Sequence, residues 1–278
     1  MVPDYWLRQS LGSPLFPQLE WSRPETKHTA GKLAIVGGNL HGFAAPAEAY
    51  AESVKAGIGT ARALLPDATK KIVGPLLDYV EYTPSTPSGS FAQRALAEVN
   101  DLAAWADAVL FAGDLGRNSE TAILIEKFLA QGETQTTITK DAADYITSAP
   151  HTVLQRPNTV LVLSIAQLQR LASEAKFTQP ITFGMDLMRL VDWLHDFTCT
   201  FAPDIIVRHL DTICVAVSGQ VSTTKISADM KIWRVKTAAH AAVWLLQNTT
   251  KPFEALTTAI YTIASGAASG NGPSAARA

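Results

Sequence analysis

Two stretches of this chain carry residue types that handle anions. In the first, residues 35–66, Gly37-Gly38 follows an apolar run and precedes a small-residue segment, with His41 in the loop between them. Paired glycines after a strand let backbone amides approach a ligand, and a helix N-terminus favours negative charge. A tight structural turn accounts for two glycines equally well, and the pattern is not GxGxxG. The second stretch, Ile232-Trp233-Arg234-Val235, opens an alanine-rich helical segment. Arg234 has two readings, a guanidinium that holds phosphate at the helix start or a solvated arginine. Trp233 likewise either stacks on a planar ligand or fills a disused site. Asp192 and His195 are spaced i, i+3 with no third ligand nearby, so a solvated helix face is expected rather than a metal pair. His209 reads as a loop histidine and His240 as a packed helix histidine. No G-x-S-x-G elbow is present.

Short apolar runs alternating with helical patterns must position these residues, a rhythm that predicts a mostly parallel sheet covered by helices. Strands are expected at 33–36, 60–65, 108–112, 136–139, 159–163, 205–208 and 212–217. Helices are expected at 45–56, with Pro46 near its first turn and Gly57 as its stop, and at 118–131, opened by the capping sequence Asn-Ser-Glu-Thr. Leu187, Leu190, Val191 and Leu194 mark the apolar stripe of another. Two late helices, 236–247 and 252–264, are rich in alanine and expected to pack on the sheet or on another subunit.

The chain has 278 residues, enough for a sizeable core. With 47% hydrophobic and 17% charged residues it reads as a compact globular protein, not a disordered one. A formal net charge of −2 gives no electrostatic case for nucleic acid. Cys199 and Cys214 form no CxxC, which argues against a disulfide framework or a zinc site. Prolines break the start of the chain and polar residues dilute its end, so neither a signal peptide nor a membrane span is expected, and the location expected is cytoplasmic. The expected domains are an irregular leader (1–29), one domain (30–266) and a flexible tail (267–278).

The order of residues in 35–66 resembles the opening of the ADP/ATP-dependent NAD(P)H-hydrate dehydratases, a branch of the ribokinase-like superfamily. Gly37, Gly38, Pro46, Gly57, Gly59 and Pro66 match that pattern, with Asn39 in place of its serine and Ala44 in place of a glycine. Residues 106–121 are similar to a second family segment, keeping Leu115, Gly116 and Arg117. The resemblance runs to about Ala264. It implies a ribokinase-like three-layer α/β/α sandwich with a mostly parallel central sheet, a homo-oligomer, and a reaction in which a nucleotide, ADP or ATP with Mg2+, phosphorylates hydrated NADH or NADPH. Nucleotide and substrate contacts then fall on Gly37, Gly38, Asn39, His41, Gly116, Arg117, Arg208, Thr212 and Arg234, with Arg208 standing for a family lysine.

The family's G-x-G-D helix opening supplies an anion hole and a catalytic aspartate. Here it falls on Ile232-Trp233-Arg234-Val235, so Val235 stands where the base belongs. A T-P-H-P-G-E segment reads Val162-Leu163-Ser164-Ile165-Ala166-Gln167, a D-A-D-A-L segment keeps only Asp141 in phase, and a G-P-G-L-G loop acquires Asp114. Valine cannot accept a proton, and base catalysis alone contributes about 10²–10⁴-fold. The resemblance therefore implies an impaired or inactive relative that keeps nucleotide or dinucleotide binding. Its alternatives are an active dehydratase or small-molecule kinase using Asp114, Asp141 or Asp229 as a substitute acid, and an oligomeric scaffold.

Overall fold

The computed structural model describes residues 3–74, 79–227 and 229–270, the last two without their side chains. In chain order its elements are β1 (Trp6–Gln9), α1 (Pro17–Trp21), β2 (Lys32–Gly37), α2 (Ala44–Lys55), β3 (Thr60–Pro66), α3 (Lys70–Val73), β4 (Val80–Thr83), α4 (Leu96–Trp105), β5 (Ala108–Gly113), α5 (Ser119–Gln131) and β6 (Gln135–Thr139). They continue as α6 (Lys140–Thr147), α7 (His151–Gln155), β7 (Thr159–Leu163), α8 (Ile165–Glu174), α9 (Leu187–Thr200), β8 (Asp204–His209), β9 (Thr212–Val217), β10 (Gln220–Lys225), α10 (Val235–Gln247) and α11 (Pro252–Gly270).

The strands form a 10-stranded sheet in the order β1-β10-β9-β8-β7-β6-β5-β2-β3-β4. Every neighbouring pair is parallel except β8–β9 and β9–β10. Parallel strands buried on both faces need continuous apolar runs, and Leu33–Val36, Val109–Phe111 and Val160–Leu163 supply them. On one face Val99, Leu124, Ala142, Leu168 and Leu190 bring α4, α5, α6, α8 and α9 against the sheet. On the other, Ala45 of α2, Ala238 and Ala242 of α10, and Ala255 and Ile260 of α11 close the second layer. The architecture is thus a three-layer α/β/α sandwich. The chain lays β2, β3 and β4 outward on one side, then returns to place β5 on the other side of β2, so the order reverses between β2 and β5. In open α/β sheets ligands bind outside the carboxyl ends of the strands at such a reversal.

Several expectations change. Residues 1–29 are not an irregular leader throughout, because β1 pairs with β10 and extends the sheet. Trp6 is buried in the first core layer and its Nε1 donates to Thr223 Oγ1 at 2.9 Å. The same segment covers the face of α9 expected to be solvated: the Tyr5 ring stacks on His195 at 3.7 Å, and the Tyr5 hydroxyl donates to Asp192 at 2.7 Å. His209 is no loop residue but the buried last residue of β8, paired with Thr212. Of the expected tail, residues 267–270 continue α11, and 271–278 lie outside the described residues. Among the described residues, no helix is long and apolar enough to cross a membrane.

Helix α2 is locked to α10 by a carboxylate. Glu52, 6% exposed, lies 3.4 Å from His240 Nε2 and 2.8 Å from Lys55 Nζ. His240, against the opposing cost of burial and with Lys55 assisting, holds the Glu52 carboxyl down to about 2. Its ordinary value is 4.5, so the unfolded chain binds this proton more tightly. The stability it contributes is then present above about pH 4.5 and lost as pH falls through about 2. Denaturant unfolding across that window should show the Glu52→Gln variant losing less stability on acidification than the wild type; parallel curves would contradict the pairing.

Candidate functional site

The ends of β2 and β5 meet through backbone alone. A Cβ on Gly37 would stand 2.6 Å from the Gly113 carbonyl oxygen, and the Gly38 amide donates to that oxygen at 2.9 Å. Gly113, at φ 104, likewise has no room, since a Cβ there would come within 2.6 Å of Lys140 and 2.7 Å of the Asp141 carboxylate. The glycine doublet therefore serves chain crossing first, with its carbonyl partner supplied by the protein. Asn39 ties the loop down: its side-chain amide donates to the Asp114 carbonyl, and its oxygen accepts the His41 amide at 2.7 Å. His41 itself is exposed.

A cleft of about 410 Å³ lies at the carboxyl ends of β5, β6 and β7, edged by Asp114, Lys140, Asp141, Asp144, Arg170 and Arg234. It adjoins a second, larger depression of about 790 Å³, where Gly116, Arg117 and Tyr145 join the shared Asp141, Asp144 and Arg170. Of the expected contacts, Gly116, Arg117 and Arg234 reach these clefts. Arg208 and Thr212 line neither. They sit in the β8–β9 hairpin, where Arg208 Nε donates to the Leu210 carbonyl at 3.0 Å.

Both carboxylates near the glycines are already engaged. Asp114 accepts the Ala45 amide, in the first turn of α2, at 2.7 Å on one oxygen and Lys140 Nζ at 2.6 Å on the other. Asp141 accepts the Gly116 amide at 3.2 Å, while its other oxygen is buried without a hydrogen bond. Burial pushes the Asp141 carboxyl above its ordinary range, against the pull of the Gly116 and Asp114 amides. Asp229 belongs elsewhere, lining a separate cavity behind α10.

Three cleft residues hold a backbone geometry that suits glycine. Asp114 has φ 58, Lys140 φ 53 and Arg234 φ 63. For Arg234, ψ is −106, outside the small left-handed well that other residues tolerate. Such residues cost of order 1–3 kcal/mol and cluster at functional sites. Arg234 immediately precedes α10, which has no acidic residue in its first turn and no side-chain cap. Val235, at the position the resemblance assigns to the base, is only 2% exposed and belongs to the second core layer. Trp233 packs partly buried against that layer and lines neither cleft, so the tryptophan does not plug them.

Sequence reading missed Arg170 and the role of Gln167. Ser164 and Gln167 form a capping box at the start of α8, and Gln167 Nε2 also donates to the Lys140 carbonyl at 2.6 Å and to Asp144 at 2.9 Å. The signal was the Ser-x-x-Gln spacing after β7, with Arg170 one further turn along the same helix face.

The strain at Arg234 has a measurable consequence. Arg234→Gly relieves it at the cost of glycine's unfolded-state entropy, so a net gain of about 1 kcal/mol is expected. Arg234→Ala, which removes the charge and keeps the strained backbone, should give no gain. Equal stability of the two variants in urea unfolding would contradict the assignment.

No protein-family model matches the sequence, and no curated protein matches it either. Solved structures do. A ribokinase-like superfamily protein from Enterococcus faecalis superposes with a TM-score of 0.72 at 15% identity, over 95% of this chain and 88% of its own. A hypothetical protein from Streptococcus mutans gives 0.67 at 13% identity, over 95% and 89%. The ADP/ATP-dependent NAD(P)H-hydrate dehydratase from Bacillus subtilis, crystallised with ATP/Mg2+ and soaked with CoA, gives 0.61 at 12% identity, over 90% and 87%. The chain has the ribokinase-like fold.

Proposed function

We propose that this chain is a NAD(P)H-hydrate dehydratase-like protein that has lost the phosphoryl-transfer base and retains nucleotide binding at the strand-end cleft. The observation that carries the proposal is Val235: a buried apolar side chain stands at the start of α10, where the resemblance requires an acid. Asp114 is not free to replace it, being held by Lys140 and the Ala45 amide. Binding is supported by the position of the cleft at the carboxyl ends of β5, β6 and β7 and by Arg170 and Arg234 at its rim. Guanidinium groups suit phosphate oxygens bidentately. ATP/Mg2+ in the Bacillus dehydratase crystal makes a nucleotide the first ligand to try. Asp141 and Asp144 would face any magnesium brought with it, and that ion usually keeps several waters and takes one or two carboxylates.

The purified protein should give no ADP- or ATP-dependent restoration of NADH from its hydrate, followed by absorbance at the reduced nicotinamide band. ATP at about 100 times its dissociation constant should stabilise the fold by roughly 2.7 kcal/mol in thermal unfolding, and Arg170→Ala should reduce that shift. Turnover at the rate of an active dehydratase would overturn the loss of the base. Absence of any shift with ADP or ATP at millimolar concentration would overturn the binding.

A further inference from the structure

A cavity of about 730 Å³ lies behind α10, walled by α2, α10 and α11 and the segment leading into α10. It shares no lining residue with the strand-end cleft. Its size falls in the range of small-molecule sites.

Its charge is lopsided. Arg23, Lys55, Lys231 and Lys236 line it with His240, and the opposing carboxylates are Glu52 and Asp229. Glu52 is spread thin: one oxygen meets Lys55 at 2.8 Å and Lys236 at 3.9 Å, and the other faces His240 at 3.4 Å. Lys236 reaches Glu48 only at 4.0 Å, so neither contact holds its ammonium tightly. Lys231 is exposed at the rim. His240 is 7% exposed, and its Nδ1 has no protein partner. A buried imidazole whose Nδ1 has no partner and two loosely held ammonium groups form a receptor for an oxyanion.

The remaining wall is apolar. Met230, Ile232 and Ile263 are buried there, and Trp244, 1% exposed, lies below the Arg23 guanidinium at 4.6 Å. A bare inorganic anion would leave this surface unused, while a molecule with a charged head and an apolar body would cover both parts.

We propose that the cavity behind α10 is a second binding site, for an organic phosphate with an apolar or aromatic body, held at its head by Lys231, Lys236 and His240. The site does not depend on what the strand-end cleft binds. Phenyl phosphate is the probe, titrated calorimetrically into the full chain beside inorganic phosphate. Phenyl phosphate should bind, and inorganic phosphate should bind at least about tenfold more weakly for want of the ring's burial. The Lys231→Ala, Lys236→Ala double variant should lose at least about tenfold in affinity, since each charge-assisted contact is substantial, and unliganded thermal unfolding would verify that it folds. Arg170→Ala, in the other cleft, should leave phenyl phosphate binding unchanged. No binding at about 10 mM, equal affinity for the two probes, or loss in Arg170→Ala with retention in the double lysine variant would each overturn the proposal.

Discussion

Everything at the mouth of this sheet depends on three strand ends meeting where there is no space for a Cβ. Gly37 abuts the Gly113 carbonyl, and Gly113 in turn abuts Lys140 and Asp141 at the end of β6. Any side chain at Gly37 or Gly113 would push β2 from β5 or β5 from β6, and would pull the Asp114 carboxylate from Lys140 and the first turn of α2. The glycines that look like ligand-binding elements in the sequence are first of all the condition for assembling the cleft. Their backbone atoms are spent on one another, and the groups left facing outward are side chains.

That distinction explains the character of the site. In a glycine-lined anion hole, amides converge on phosphate and the protein contributes partial charges fixed in place. Here Asp114, Lys140 and Arg234 occupy glycine-like backbone positions, so charged side chains stand at turns where glycine would leave bare amides. Asp114 and Lys140 neutralise each other at 2.6 Å, which leaves Arg170 and Arg234 as the groups able to meet an incoming anion. Guanidinium groups of this kind suit phosphate oxygens.

The central strands were legible in the sequence because each is an unbroken apolar run of the kind that two covered faces demand. The flanking strand β10 was not, and its residues show why. Ser222, Thr223 and Thr224 are all buried, yet each answers a polar partner, Thr257, Trp6 and Gln9 respectively, so burial there leaves no hydrophobic pattern. Strand β1 escaped notice for the complementary reason: Trp-Leu-Arg-Gln is too short to show alternation, and its pairing with residues 221–224 is a contact across most of the chain. Of the site, the glycines, Asp114, Asp141 and Arg234 were visible because they stand in or against a recognisable pattern. Arg170 was invisible because a single arginine on a helix carries no mark of the loop it will face. Arg208 and Thr212 were carried by resemblance alone, and the short β8–β9 hairpin holds them away from the cleft.

Helix α10 connects these observations. Ala238, Ala239, Ala241 and Ala242 are completely buried, and such small side chains let the helix lie close on the sheet between α2 and α11. Close seating draws Val235 into the core layer, where a carboxylate would be desolvated and its charged form disfavoured. Valine is therefore more than the absence of an acid: it is a residue suited to the depth at which this helix begins. Restoring a base would mean burying a charge beside Ile232 and Met230, and a neutral, protonated carboxyl there could not accept the proton that the chemistry must remove. The same seating sets Lys236 and His240 against Glu52, so the helix that buries Val235 also walls the cavity behind it.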